Sequence, residues 1–101
     1  MEILTATQQL LVDSFLRALN AENLAKRTQE TYGESLNQFA KFLIEKGMPT
    51  SPALITREYV EAFITGLLSR WKPATANNRY RALRRYFRWL LDEGEPRHIP
   101  L

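Results

Sequence analysis

Cysteine is absent from this chain of 101 residues, so neither disulfides nor thiolate metal sites are available, and a cytoplasmic setting is the simpler expectation. The one histidine, His98, falls in a proline-bearing tail, where it reads as a solvated linker residue. No apolar run approaches the roughly 20 residues that cross a bilayer. The opening Met1-Glu2-Ile3-Leu4-Thr5 has no basic start of the signal-peptide kind. Paired carboxylates on a common apolar background, metal-ligand spacing and a glycine-rich phosphate loop are all missing. Neither metal, cofactor nor small-molecule substrate is therefore expected. Alternation of apolar and polar residues persists nowhere, and there is no internal repeat or low-complexity tract, which argues against sheet and solenoid folds.

What remains is helical. The length suits one domain with a real core, and an apolar content of 45%, with five Phe, four Tyr and two Trp, speaks for a folded chain. A first helix is expected from about Thr5 to Asn23: Thr5 and Gln8 fit a capping box, and Leu11 or Val12, Phe15, Leu16 and Leu19 recur at helical spacing. After the short polar connection Asn20 to Ala25, Lys26-Arg27-Thr28 leads into a second helix with Tyr32, Leu36, Phe39 and Leu43 inward, flanked by Ala40 and Phe42 and ended by Gly47. Thr28 or a neighbour is expected to cap it, with or without a contact to a partner. Two prolines make Met48 to Ile55 a loop. Thr56 should cap a third helix carrying Glu58 in its first turn and an apolar face of Val60, Phe63, Ile64, Leu67 and Leu68, with Gly66 allowing a close helix crossing.

Trp71-Lys72-Pro73 breaks the chain and restarts it, since proline is preorganised for a helix's first turn. Trp71 reads as a staple onto Ala76 or Asn77 that closes the core, base stacking being the other reading; Trp89 reads as partly buried. In the fourth helix Ala76, Tyr80, Leu83, Phe87, Leu90 and Leu91 form the inward arc, and Gly94 is the expected cap. The fold expected is all-α, with four main helices.

The charge is local. Residues 72–91 hold six of the fourteen Lys and Arg and none of the eleven Asp and Glu, so this segment is +6 and the remainder −3. Arg81, Arg84, Arg85 and Arg88 fall within roughly 100° of one another, away from the apolar arc, with Asn77 and Asn78 near the same side. Like charges so placed repel each other until an anion meets them. Guanidinium forks match phosphate oxygens and guanine, and Asn can pair with adenine, which favours a duplex groove over a lipid surface. A solvated face is the plainer reading, but such faces usually mix both signs. At the start of the second helix, Lys26 and Arg27 add charge where backbone amides are unsatisfied and the dipole is positive, a natural phosphate corner. The alternatives are a helical protein-interaction module docking an acidic partner through the last helix, and an amphipathic membrane-surface role. The latter conflicts with the core's need for Tyr80, Leu83, Phe87 and Leu90.

Thr28-x-x-x-Tyr32-x-x-x-Leu36-x-x-Phe39-x-x-Phe42-Leu43, then Ile55-Thr56-Arg57-Glu58-Tyr59-Val60-Glu61-Ala62-Phe63, then Ala74-Thr75-x-Asn77-x-Arg79-x-x-Ala82-Leu83-Arg84-x-x-Phe87-x-x-Leu90-x-x-x-Gly94, resembles the core-binding domain of tyrosine recombinases, the amino-terminal SAM-like domain of phage integrases. The resemblance spans nearly all of residues 5–94. It implies a four-helix SAM-like bundle that forms one half of a clamp around double-stranded DNA, with the second and fourth helices against groove and backbone. It also implies that residues 1–94 are the DNA-binding unit and 95–101 the start of a linker to a catalytic domain, and that the whole protein assembles as a homo-oligomer on DNA. By position it points to Lys26, Arg27, Thr28 and Gln29, then to Lys72, Thr75 and Asn78, followed by Arg81 and Arg85. Ala25 stands where the family often has a capping Ser, and Glu95-Pro96 replaces the usual Asn-Pro. The family's strand cleavage by a tyrosine nucleophile belongs to the catalytic domain. Tyr32 and Tyr80 are core positions by period, so no covalent-catalysis constellation can be assembled here and this segment is expected to be non-catalytic.

Overall fold

The computed structural model describes residues 6–51 and 54–93, with side chains described from Val12 onward. Four helices follow in order: α1 (Ala6–Ala21), α2 (Lys26–Glu45), α3 (Arg57–Arg70) and α4 (Pro73–Asp92). No strand occurs among the described residues, and the all-α architecture is as expected from the sequence. The Thr5–Gln8 capping box, the Gly94 cap and the tail with His98 lie outside the described residues.

Two of the turns close by the same backbone chemistry. At the end of α2 the amide of Gly47 donates to the carbonyl of Ile44 and that of Met48 to Leu43, with Gly47 at a φ of 69°. That six-to-one, five-to-two pairing satisfies carbonyls the helix would otherwise orphan, and glycine takes the left-handed position without steric cost. At the end of α1 the left-handed residue is Asn23, φ 61°, and Leu24 donates back to Leu19. Asn tolerates this conformation better than most residues, so α1 stops two residues before the expected limit.

The amino-terminal caps differ from expectation. Ala25 is the N-cap of α2, without a side-chain cap bond, and Thr28 sits inside the first turn instead of at the cap. Thr56 does occupy the N-cap of α3 in an extended conformation, but its hydroxyl makes no cap bond to a backbone amide. It bonds the Glu58 carboxylate instead. That bond and, first, Glu58's hydrogen bond to the backbone hold the carboxyl below its ordinary value. Pro73 stands in the first turn of α4, where its missing N–H is no loss.

α2 and α4 form the centre, with α1 laid on α2 and α3 laid chiefly on α4. The core joins Val12, Phe15 and Leu19 of α1, Leu36, Phe39 and Leu43 of α2, Val60, Phe63 and Leu67 of α3, and Ala76, Leu83, Tyr86, Phe87 and Leu90 of α4. Aromatic rings tie the helices together: Phe39 packs on Phe63 at 5.2 Å between centroids and on Phe87 at 6.4 Å, and Phe15 meets Tyr86 edge-on at 5.2 Å. Such pairs add about 0.5–1.5 kcal/mol beyond their burial.

Four expectations for individual side chains need correction. Leu91 is exposed, because the buried arc of α4 runs round through Ala82 and Tyr86, the latter packed on Phe15 of α1. Leu68 is exposed too, lying about 100° round from Leu67 and beyond the covered face of α3. A Cβ on Gly66 would meet nothing within 4 Å, so no close crossing occurs there. Trp71 is 60% exposed and neither staples α4 nor closes the core. Trp89 is half-buried against Phe15 and Tyr86, as its position at the edge of the stripe suggested.

Candidate nucleic-acid interface

The outward side of α4 is built by periodicity alone. Once Leu83, Phe87 and Leu90 turn inward, Arg81, Arg84 and Arg88 must share an arc of about 60° on the opposite side, with Asn77 in line and Lys72 and Asn78 near its start. All six are exposed, and the three arginines make no hydrogen bond or ion pair with a described residue. No carboxylate on α4 lies near them before Asp92. Three guanidinium groups along one helix, unpaired among the described residues, make a strip of positive potential that an anionic partner would relieve.

Arg85, expected on the same face, is drawn aside. It is half-exposed, and its Nη2 donates to both carboxylate oxygens of Glu22, at 2.8 and 2.7 Å. A charge already answered by a carboxylate adds little to the strip. The pair marks where the α1–α2 turn lies against the flank of α4. Lys26 follows Glu22 by four residues, at most about 14 Å of chain, so the start of α2 is held near that flank. Lys26 and Arg27 are exposed there without a described partner, and Thr28 is half-buried behind them. Gln29 is engaged locally, donating through Nε2 to the Leu24 carbonyl at 2.9 Å and the Asn20 side-chain oxygen at 3.3 Å. It braces the turn that presents the two cations.

Thr75 goes elsewhere. It lines a cleft of about 430 Å³ between α2, the end of α3 and the beginning of α4, together with Gln38, Lys41, Phe42, Arg70, Trp71 and Arg79. No single helix contains this cleft, so a helical period does not show it. Arg79 does leave a trace in the sequence: it sits three residues after Ala76 and four before Leu83, on the apolar side of α4. There its Nη1 donates to Ser35 Oγ at 3.0 Å, and Ser35, fully buried, donates to the Thr31 carbonyl at 2.8 Å. The Nε–H of Arg79 is sealed from solvent and meets no acceptor among the described residues.

Tyr86 is the deepest of the phenols, 7% exposed, and burial pushes its hydroxyl well above the usual tyrosine range. A phenol so held stays protonated and serves packing. Among the described residues there is no cluster of His, Asp and Glu that could hold a metal ion, and no helix is long and apolar enough to cross a membrane.

Residues 11–95 match the family described as phage integrase, N-terminal SAM-like domain. No curated protein matches the chain, and neither does any solved structure.

Proposed function

Since the chain belongs to the family of phage integrase N-terminal SAM-like domains, the non-catalytic amino-terminal part of those enzymes, we propose that it binds duplex DNA as half of a clamp in a site-specific tyrosine recombinase. The observation that carries this is the strip of Arg81, Arg84 and Arg88, exposed along α4 and unanswered by any described carboxylate. Phosphates would be met there and at Lys26, Arg27 and the Lys72 corner, and Asn77 and Asn78 stand where side-chain amides could reach base edges. Thr28, Gln29 and Arg85 support the two contacting helix segments, while Thr75, on the cleft side, takes no part. In this reading residues 1–94 are the DNA-binding unit and 95–101 begin the linker to a catalytic domain. Strand cleavage and rejoining belong to that domain, and the whole protein works as a homo-oligomer assembled on DNA.

The test is a salt titration of duplex affinity. Each neutralised phosphate adds about −0.9 to the slope of log K against log salt. Arg81, Arg84 and Arg88 changed together to Ala should make that slope shallower by about 2.7, with helix content by circular dichroism unchanged because all three are exposed. An unaltered slope would overturn the assigned face. Binding to an acidic protein that competitor DNA does not displace would replace this reading with that of a protein-interaction module.

A further inference from the structure

The cleft between α2, α3 and α4 is not used by the duplex reading, and its lining has its own chemistry. Its floor is apolar, from Phe42, Phe63 and Leu67. Its rim holds three cations, Lys41, Arg70 and Arg79, against one carboxylate, Glu45. Lys41 and Arg70 are exposed and have no described partner, while Arg79 is braced by Ser35 with only one of its N–H groups engaged. Of a guanidinium's five donors, one goes to Ser35 and the Nε–H is sealed from solvent, which leaves the other Nη donors for a ligand.

Trp71 stands at the mouth, 60% exposed. Its main chain is tied down: its amide donates to the Leu67 carbonyl at 2.7 Å, and only Lys72 separates it from Pro73. Proline restricts Lys72, the residue before it, to extended conformations, which limits the backbone leading from Trp71 into α4. An exposed indole offers a ligand a large flat face with only two side-chain torsions to fix.

We infer that this cleft binds an unpaired nucleotide, with its base stacked on Trp71 and its phosphates held by Lys41, Arg70 and Arg79. Cationic grooves bearing an exposed aromatic ring are how proteins hold single strands, because every base has a π-face and every linkage an anion. Bases inside a duplex are already stacked and cannot reach an indole, so the ligand is a strand that is locally open. An acidic peptide would answer the cations but offers the indole nothing in each repeat. The cleft volume, about 430 Å³, lies in the range of small-ligand sites. The inference takes from the duplex reading only the class of partner, and it uses a different surface.

The experiment uses the whole chain and a short oligothymidine. In a Trp89→Phe variant Trp71 is the sole tryptophan, and its emission, excited selectively over the four tyrosines, should be quenched on binding. Trp71→Ala should weaken oligothymidine roughly five- to hundred-fold and leave duplex affinity unchanged. Lys41→Ala with Arg70→Ala, both at exposed positions, should make the single-strand salt slope shallower by about 1.4. Arg84→Ala with Arg88→Ala should show the opposite preference, hurting duplex binding alone. Absence of quenching, or oligothymidine affinity indifferent to Trp71, would overturn the inference. So would poly-glutamate binding with the same dependence on Trp71, which would make the cleft a docking site for acidic protein segments. Loss of duplex binding with retention of the Trp71-dependent single-strand site would remove the duplex reading and leave this one standing.

Discussion

Arg79, Arg85 and Arg88 lie on one helix within ten residues of sequence and meet three different fates. Arg88 faces solvent, Arg85 is tied to Glu22, and Arg79 reaches in to Ser35. What separates them is the few tens of degrees between their positions on the helix and what the neighbouring helices place opposite. Glu58 belongs at the same scale. Its carboxyl is held below the ordinary 4.5 by a hydrogen bond to the backbone and by the Thr56 hydroxyl. A depressed folded value means that the stabilisation is present above the unfolded value and lost as pH falls through the folded one. Glu58→Gln should therefore lose less stability than the parent on acidification below about pH 4.5, measured by urea denaturation at a series of pH values.

At the scale of elements, α3 and α4 divide the labour. α3 mainly supplies Val60, Phe63 and Leu67 to the core, and its surface pair Arg57–Glu61, 3.0 Å apart and largely exposed, adds little. Its one weak point is Gly66 in mid-helix. With no atom within 4 Å of a would-be Cβ and no left-handed φ, Gly66→Ala removes backbone freedom from the unfolded chain at no steric cost. An increase in stability of about 0.5–1 kcal/mol is expected, read as a higher denaturation midpoint with unchanged slope. α4 works on more than one side: its apolar stripe builds the core, its far side carries the arginine strip, and its first turns wall the cleft. The stripe and the strip follow from a period of 3.6 residues and were legible in the sequence. The cleft was not, since it exists only where three helices meet.

The whole molecule depends on two central helices being clamped by aromatic side chains. Phe87 is 1% exposed and packs at 5.6 Å from Tyr86 and 6.4 Å from Phe39. Truncation of a buried Phe to Ala typically costs about 3–5 kcal/mol, a large part of the total stability of a small domain. Phe87→Ala should thus lower the denaturation midpoint sharply, whereas the triple exchange of Arg81, Arg84 and Arg88 to Ala should barely move it. A triple variant that unfolds as readily as Phe87→Ala would show that the strip belongs to the fold and not to a partner.

By itself the sequence determined that there would be four helices, which residues would turn inward from most of them, and that the positive charge would gather on the far side of the last one. These are consequences of local periodicity, because a helix repeats its side-chain directions whatever surrounds it. Only the tertiary structure decided which charges remained available. Arg79 met Ser35 across 44 residues of sequence and Arg85 met Glu22 across 63, while Trp71 was left at the mouth of a cleft. Such pairings depend on how helices distant in the chain come to lie side by side, and no pattern within a single helix encodes that.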